Sequence, residues 1–194
     1  TIEVSRGLDV YITQSDSESL KVQADENLHD IIKTIVENNT LKIYADENIS
    51  YAASKKVFVR FNSISKLSAS SGSDMFSTNT ITVNDLELST ESGSDMTLDI
   101  NVQSLRCDSS SGSDLKLTGK TESFYANASS GSDIKAGDLV STIAEAKASS
   151  GSDITLNTTK ELTANASSGW DIKYYGNPEK VNKSDNVSGS VNKQ

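Results

Sequence analysis

The chain of 194 residues carries one proline, one cysteine, one histidine and one tryptophan. A single cysteine, Cys107, excludes an internal disulfide framework. The only imidazole, His29, reads as a polar turn residue, because a metal role would need partners and no His/Cys cluster supplies them. No apolar run approaches the length of about 18 residues that a membrane helix requires. Basic side chains are also few, 18 against 27 acidic ones. The resulting net charge of −9 repels phosphate backbones, and with no Lys/Arg stripe to offset it nucleic acid is not an expected partner. Hydrophobic residues make up 35% of the chain, below the globular average of about 45–50%. A thin, elongated core is therefore expected. The chain starts at Thr1 with no charged start or apolar signal core, so any export signal is expected to have been removed or never to have existed.

What is abundant is a repeat. The element S-G-S-D occurs with its glycine at Gly72, Gly93, Gly112, Gly131 and Gly151, and once as S-G-W-D at Gly169, at intervals of 21, 19, 19, 20 and 18 residues. A degenerate S-G-S-V follows at Gly189, and upstream Gly7-Leu8-Asp9-Val10-Tyr11-Ile12 imitates Gly131-Ser132-Asp133-Ile134-Lys135-Ala136. A fixed period of about 20 residues indicates a solenoid. Within a coil the residues alternate as in strands. Leu86, Leu88, Thr90, Ser92, Ser94, Met96, Leu98 and Ile100 share one parity, while Glu87, Ser89, Glu91, Gly93, Asp95, Thr97 and Asp99 share the other. The pattern predicts an all-β parallel β-helix of about 19-residue coils. Both serines of the element are expected to face inward, with their hydroxyls bonded to one another or to backbone carbonyls. The glycine is expected to supply a bend at positive φ or a close approach between coils.

Residues 67–191 form the array, and residues 1–66 are a less regular β region continuous with it, the whole being one domain. Between the strand-like segments Leu20–Ala24 and Leu41–Ala45, the residues Leu28, Ile31, Ile32, Ile35 and Val36 suit an amphipathic helix. The β-branched run into Asn38-Asn39 equally suits a hairpin, and a short helical turn near 25–30 followed by a hairpin is the preferred reading. After Pro178 the polar tail is expected to be loosely held. The N-x-S/T triplets at Asn127 and Asn165 read as by-products of the repeat rather than glycan acceptors.

The opening Gly7–Gln14, the segment Val36–Tyr44, the S-G-S-D coils and the ending Tyr175-Gly176-Asn177-Pro178 before Ser188-Gly189-Ser190 resemble the bacterial family named putative auto-transporter adhesin, head GIN domain. Departures are Asn39, where glycine is usual in the hairpin turn, and Trp170 in place of the repeat serine. The resemblance covers nearly the whole chain. It implies a single-stranded right-handed β-helix, exported to the periplasm or outer surface of a Gram-negative envelope, with a lipid anchor in the full-length precursor as one mode of attachment. It also implies adhesion and brings no catalytic residues.

Three features carry candidate chemistry. The first is the aspartate column Asp74, Asp95, Asp114, Asp133, Asp153 and Asp171. With coils stacked at about 4.8 Å, each neighbouring pair repels by about 1 kcal/mol even in bulk water. Backbone N–H groups in the turns are one offset, and Ca²⁺ bridging between coils is the other. The nine-residue calcium repeat is not matched, which favours the backbone offset. The second feature is Trp170, Tyr174 and Tyr175, read either as an exposed aromatic shelf for a sugar or partner or, for Trp170 on the inward parity, as a cap on the core. The third is the possibility that outward carboxylates serve a polysaccharide lyase or hydrolase. A catalytic site should break the repetition locally, and the aspartates recur uniformly. Cys107, in the slot of Leu88, Ala126, Ala146 and Ala164, is a small core filler. The sequence therefore points to a non-catalytic envelope β-helix without cofactor. It would present repetitive polar faces to a glycan, an envelope protein or another copy of itself.

Overall fold

The computed structural model describes residues 1–167, 170–185 and 189–194. The chain opens with β1 (Ile2–Val4) and β2 (Asp9–Gln14) and continues through β3 (Ser19–Ala24), β4 (Ile32–Glu37), β5 (Thr40–Ala45) and β6 (Lys55–Phe61). It enters the regular array with β7 (Lys66–Ala69), β8 (Asp74–Ser77), β9 (Ile81–Thr90), β10 (Asp95–Ser110), β11 (Asp114–Ser129), β12 (Asp133–Ala148) and β13 (Asp153–Ala166). It closes with β14 (Asp171–Tyr175), β15 (Lys180–Asp185) and β16 (Ser190–Lys193). Apart from β3 and β4, which pair antiparallel with β6 and β5, these strands stack in parallel as a β-solenoid, and the repeat sets the register: Asp95 pairs with Asp114, Asp114 with Asp133 and Asp133 with Asp153.

Each of β10, β11 and β12 spans most of a coil, so the chain turns sharply at the S-G-S element and bends once more in mid-strand. In β10 the alternation of burial is broken at Gln103 and Ser104, both exposed between buried Val102 and Leu105. Two flat faces result. One carries the aspartates and the other carries Arg106, Asp108 and their counterparts. The alternating rows meet in a narrow core of Leu, Ile, Met, Phe124 and many alanines. Cys107 lies in register with Leu88 and Ala126, as the repeat alignment places it, and is fully buried.

The two serines of the element do different things, which corrects the expectation that both face inward. The first serine and the glycine are consecutive residues at positive φ, 54° and 70° at Ser92-Gly93 and 60° and 72° at Ser111-Gly112. Two left-handed residues in succession rotate the first side chain out of the strand alternation, and Ser71, Ser92, Ser111, Ser130 and Ser150 are exposed. Parity counts only through extended backbone. The second serine resumes it and is completely buried at Ser73, Ser94, Ser113, Ser132 and Ser152. Its hydroxyl reaches the preceding coil: Ser94 Oγ is 2.8 Å from Ala69 O, Ser113 Oγ 3.0 Å from Thr90 O, Ser132 Oγ 2.8 Å from Ser109 O and Ser152 Oγ 2.8 Å from Ala128 O. The same oxygens accept backbone N–H groups within their own turns, from Glu91, Ser129 and Ser149 at 3.1, 3.2 and 3.1 Å. Among the described residues no buried side-chain nitrogen or oxygen lacks a hydrogen-bond partner.

The N-terminal region winds around this frame out of chain order. β1 and β2 form a coil whose turn, Arg6-Gly7, has φ of 63° and 77°, and β2 pairs with β8 so that Asp9 stands beside Asp74. The chain then travels outward, and β5 and β6 return to pair in parallel with β1 and β2 on their far side. β4 folds back on β5 through Asn38-Asn39 as an antiparallel hairpin, both asparagines adopting the positive φ that such a turn requires. β3 runs antiparallel to β6. Residues 32–36 are therefore strand, and the only helical piece among the described residues of this region is the single 3-10 turn Glu26–Leu28. The β-branched pairs Thr34-Ile35 and Val36 suit the pleat better than a helix.

The division of labour between the two serines is testable by substitution. Ser132→Ala leaves the Ser109 carbonyl and the Ser129 N–H without that partner and is expected to cost about 1–3 kcal/mol. Ser130→Gly relieves a left-handed residue and is expected to leave stability unchanged or raise it by up to about 1 kcal/mol. Thermal unfolding of both variants decides the matter; a larger loss at position 130 than at 132 would contradict the assignment.

Candidate functional site

The aspartate column runs down one flat face and begins a coil earlier than the repeat motif does, at Asp9, where the Arg6-Gly7-Leu8-Asp9 turn replaces S-G-S-D. The shared Gly-x-Asp-x-Tyr/Phe pattern was the signal that links Asp9 to Asp74. The carboxylates point along the stack. Asp95 Oδ1 accepts the Asp114 N–H at 3.1 Å, Asp133 Oδ1 the Asp153 N–H at 3.4 Å and Asp153 Oδ1 the Asp171 N–H at 3.2 Å. The last member, Asp171, accepts the Ser190 hydroxyl. A hydrogen bond to a charged group is worth about 1.5–3 kcal/mol, more than the roughly 1 kcal/mol of repulsion per neighbouring pair at bulk-water dielectric. Two lysines add to this balance. Lys135 Nζ lies 2.6 Å from Asp114 and 3.5 Å from Asp133, and Lys55 Nζ lies 3.4 Å from Asp9. The hydrogen bond to Asp114 holds the Lys135 ammonium above the ordinary lysine range, against the opposing effect of burial.

Asp74 is the member least well compensated. Burial pushes its pKa up, and the charges of Asp95 and Asp9 add to the rise against a smaller opposing effect of Lys55. Among the described residues no group of three or more His, Cys, Asp or Glu side chains is gathered to hold a metal ion.

The three aromatic residues singled out in the sequence do not form one shelf. Tyr174 is 7% exposed and belongs to the core, because it continues the inward alternation from Ile172. Trp170 stands one residue before Asp171, where Ser152 stands before Asp153. It is 36% exposed and does not cap the core, which corrects the inward reading. The ring instead lies over Gly151, with Cζ2 3.7 Å from where a Cβ on that glycine would be. Ser168 and Gly169 of the same element lie outside the described residues. Tyr175 is 43% exposed and lies across Gly137 and Thr155.

Two concavities were not anticipated. The first is a groove of about 560 Å³ running along the corner between the two faces, across β9, β10, β11 and β12. Asn84, Asn101, Gln103, Lys120, Glu122 and Thr142 supply its polar lining. Its sequence signal is the doubled outward position at Gln103-Ser104, visible only where the alternation breaks. The second is a cleft of about 490 Å³ at the N-terminal end, lined by Leu20, Val36, Leu41, Val59, Phe61 and Ile64 among others. Val36 is 73% exposed and Leu20 37%, although both share the core-facing parity of their strands. Both side chains line the cleft beside Leu41 and Phe61. Cys107 contributes no chemistry, since complete burial pushes its thiol pKa well up. His29 is exposed just after the 3-10 turn.

The raised pKa of Asp74 has a defined sign in stability. A carboxyl whose folded pKa exceeds its unfolded one binds more protons when folded, so stability falls as pH rises from below 3.8 through the folded value. Asp74→Asn keeps an acceptor oxygen for the Asp95 turn and removes the charge. It is expected to unfold at a higher temperature than the native protein at pH 7, with the advantage disappearing below pH 3.8. Thermal melts across that range check it; a variant less stable at pH 7 than at acid pH, relative to the native chain, would refute it.

Comparison with known proteins places this geometry. Solved structures with the same fold include a putative adhesin from Bacteroides fragilis, 23% identical with a TM-score of 0.93. A putative lipid binding protein from Parabacteroides distasonis is 24% identical with a TM-score of 0.74. A putative adhesin from Parabacteroides merdae is 15% identical with a TM-score of 0.79. In each case the match covers 100% of this chain and 91% of the other. No curated protein sequence matches the chain. Among the described residues no helix is long and apolar enough to cross a membrane. The sequence profile of the putative auto-transporter adhesin, head GIN domain, matches residues 1–178, and the chain belongs to that family.

Proposed function

We propose that the protein is a non-catalytic surface-binding scaffold that holds a glycan chain along its long axis. It would act outside the cytoplasm, in the periplasm or on the outer surface, with a lipid anchor on the full-length precursor. The observation that carries the glycan reading is the corner groove. It crosses four stacked strands and is lined by the amides of Asn84, Asn101 and Gln103, the hydroxyl of Thr142 and the charges of Lys120 and Glu122. A linear polymer laid along the solenoid meets such donors and acceptors once per coil, about every 4.8 Å. Amide and hydroxyl groups on a rigid sheet corner suit sugar hydroxyls, because neither partner needs to be charged or reordered. The adhesins among the similar structures and the adhesin family itself support a binding role over an enzymatic one. So does the engagement of the outward aspartates with backbone N–H groups.

A second reading, a lipid acyl chain in the N-terminal cleft, is favoured by the exposed core-facing Leu20 and Val36 and by the likeness to a protein named as lipid binding. One set of measurements separates the two. On a glycan array the native protein is expected to select linear oligosaccharides, and the Asn101→Ala/Gln103→Ala variant to lose at least tenfold in affinity for them, with Val36→Glu unchanged. If no glycan is bound and Val36→Glu abolishes binding of a fluorescent fatty acid, the groove reading fails and the cleft reading replaces it.

A further inference from the structure

The Tyr175 groove assigns a more particular ligand. Tyr175 follows the buried Tyr174 on β14 and projects across the flat aspartate-bearing face. The Cε2 and Cδ2 atoms of its ring lie 3.2 and 3.5 Å from where a Cβ on Gly137 would be, beside Thr155 Cγ2 at 3.3 Å. Gly137 is not at positive φ, so its backbone does not demand glycine. A Cβ there would instead crowd Thr155 and the ring, which reaches from β14 past β13 to β12. An aromatic pinned in this way across two coils, yet 43% exposed, is a preformed apolar platform rather than a mobile surface residue.

The platform borders a groove of about 510 Å³ that also includes Lys116, Lys135, Asp138 and Asn157. Lys116 and Lys135 are adjacent in register, Lys135 pairs with Thr155 and Thr155 with Lys173, so lysines occupy three places in one column. In a chain of net charge −9 this is a local concentration of positive charge. Lys135 is bound to Asp114 and Asp133, whereas among the described residues no carboxylate lies within 4.0 Å of the exposed Lys116 ammonium. Lys116 stands two strand steps from Thr155, about 10 Å. That separation suits one six-membered ring on the tyrosine with an exocyclic anionic group directed at the ammonium. Asn157, whose Nδ2 reaches Gly137 O at 3.3 Å, and Asp138 supply polar groups for hydroxyls between them.

We infer that this groove binds an acidic pyranose unit, its apolar face on Tyr175 and its carboxylate on Lys116. The inference rests on the glycan reading above but uses none of the corner-groove residues. The probe is tetragalacturonate, with its methyl ester as the uncharged counterpart, titrated by calorimetry at 50 and 500 mM NaCl. Expected results are binding that weakens with salt, at least tenfold weaker for Tyr175→Ala, Lys116→Gln and the ester, and unchanged for Asn101→Ala/Gln103→Ala. A bulky Gly137→Leu, which displaces the ring while leaving Tyr175 in the chain, is expected to weaken binding to a similar extent. All variants lie on the surface, and their melting curves report folding. Absence of binding to tetragalacturonate, binding indifferent to Tyr175→Ala, or equal binding of acid and ester would overturn the inference. Binding lost only in Asn101→Ala/Gln103→Ala would overturn it as well while supporting the corner groove.

Discussion

The structure depends on one hydrogen bond repeated in the turns of Ser94, Ser113, Ser132 and Ser152, from the buried serine hydroxyl to a backbone carbonyl of the coil before it, while in the first turn Ser73 accepts the Gly7 N–H instead. Burying a hydroxyl without a partner costs at least about 1–3 kcal/mol by protein mutational data. A slipped register would impose that cost at every turn at once. The left-handed Ser-Gly pair aims the serine inward, the hydroxyl locks its coil to the last, and the glycine N–H closes the stack on the other side, as from Gly93 to Ser111 O at 3.1 Å. Apolar burial between coils holds the solenoid together, but leucines and alanines tolerate a shift that the serines do not.

Once the register is fixed, the outer face is determined as well. Every outward position becomes a column, and a charge repeated at that position becomes a ladder. Asp95, Asp133 and Asp153 accept the N–H of the next turn, while Asp114 is bound by Lys135 and Asp171 by the Ser190 hydroxyl. The proposed recognition groups lie where repetition fails: the doubled outward residues of the corner, the tyrosine over Gly137, and the cleft beside β3 and β4. On the proposed reading, a solenoid with a uniform core carries its specificity in its irregularities.

Much of the architecture was legible because period and parity are properties of the sequence. The coil spacing, the core rows from Leu88 to Ala164 and the aspartate column all follow from counting. Counting failed where the backbone left the extended region. At Ser71, Ser92 and Ser111 two left-handed residues reset the alternation, and Trp170 is exposed despite its inward parity. The winding of β5 and β6 around the outside of β1 and β2 was not legible either, because pairing partners distant in the chain leave no local pattern. The proposed binding surfaces were least visible. Of the aromatic residues chosen, Tyr174 is core and Tyr175 is exposed, and what distinguishes Tyr175 is Gly137, 38 positions away in the chain.

If register rests on the turn and its serine, any coil is interchangeable with the next, and stability is a sum over coils and their interfaces. Removing one entire coil, the 19 residues Gly112–Ser130, joins Ser111 to Gly131 and restores the turn. Thermal unfolding of that shortened chain, followed by circular dichroism, tests the claim directly. The account predicts an intact β spectrum and one cooperative transition at a somewhat lower temperature. A chain that loses cooperative unfolding would show that the coils are not held in register by their turns.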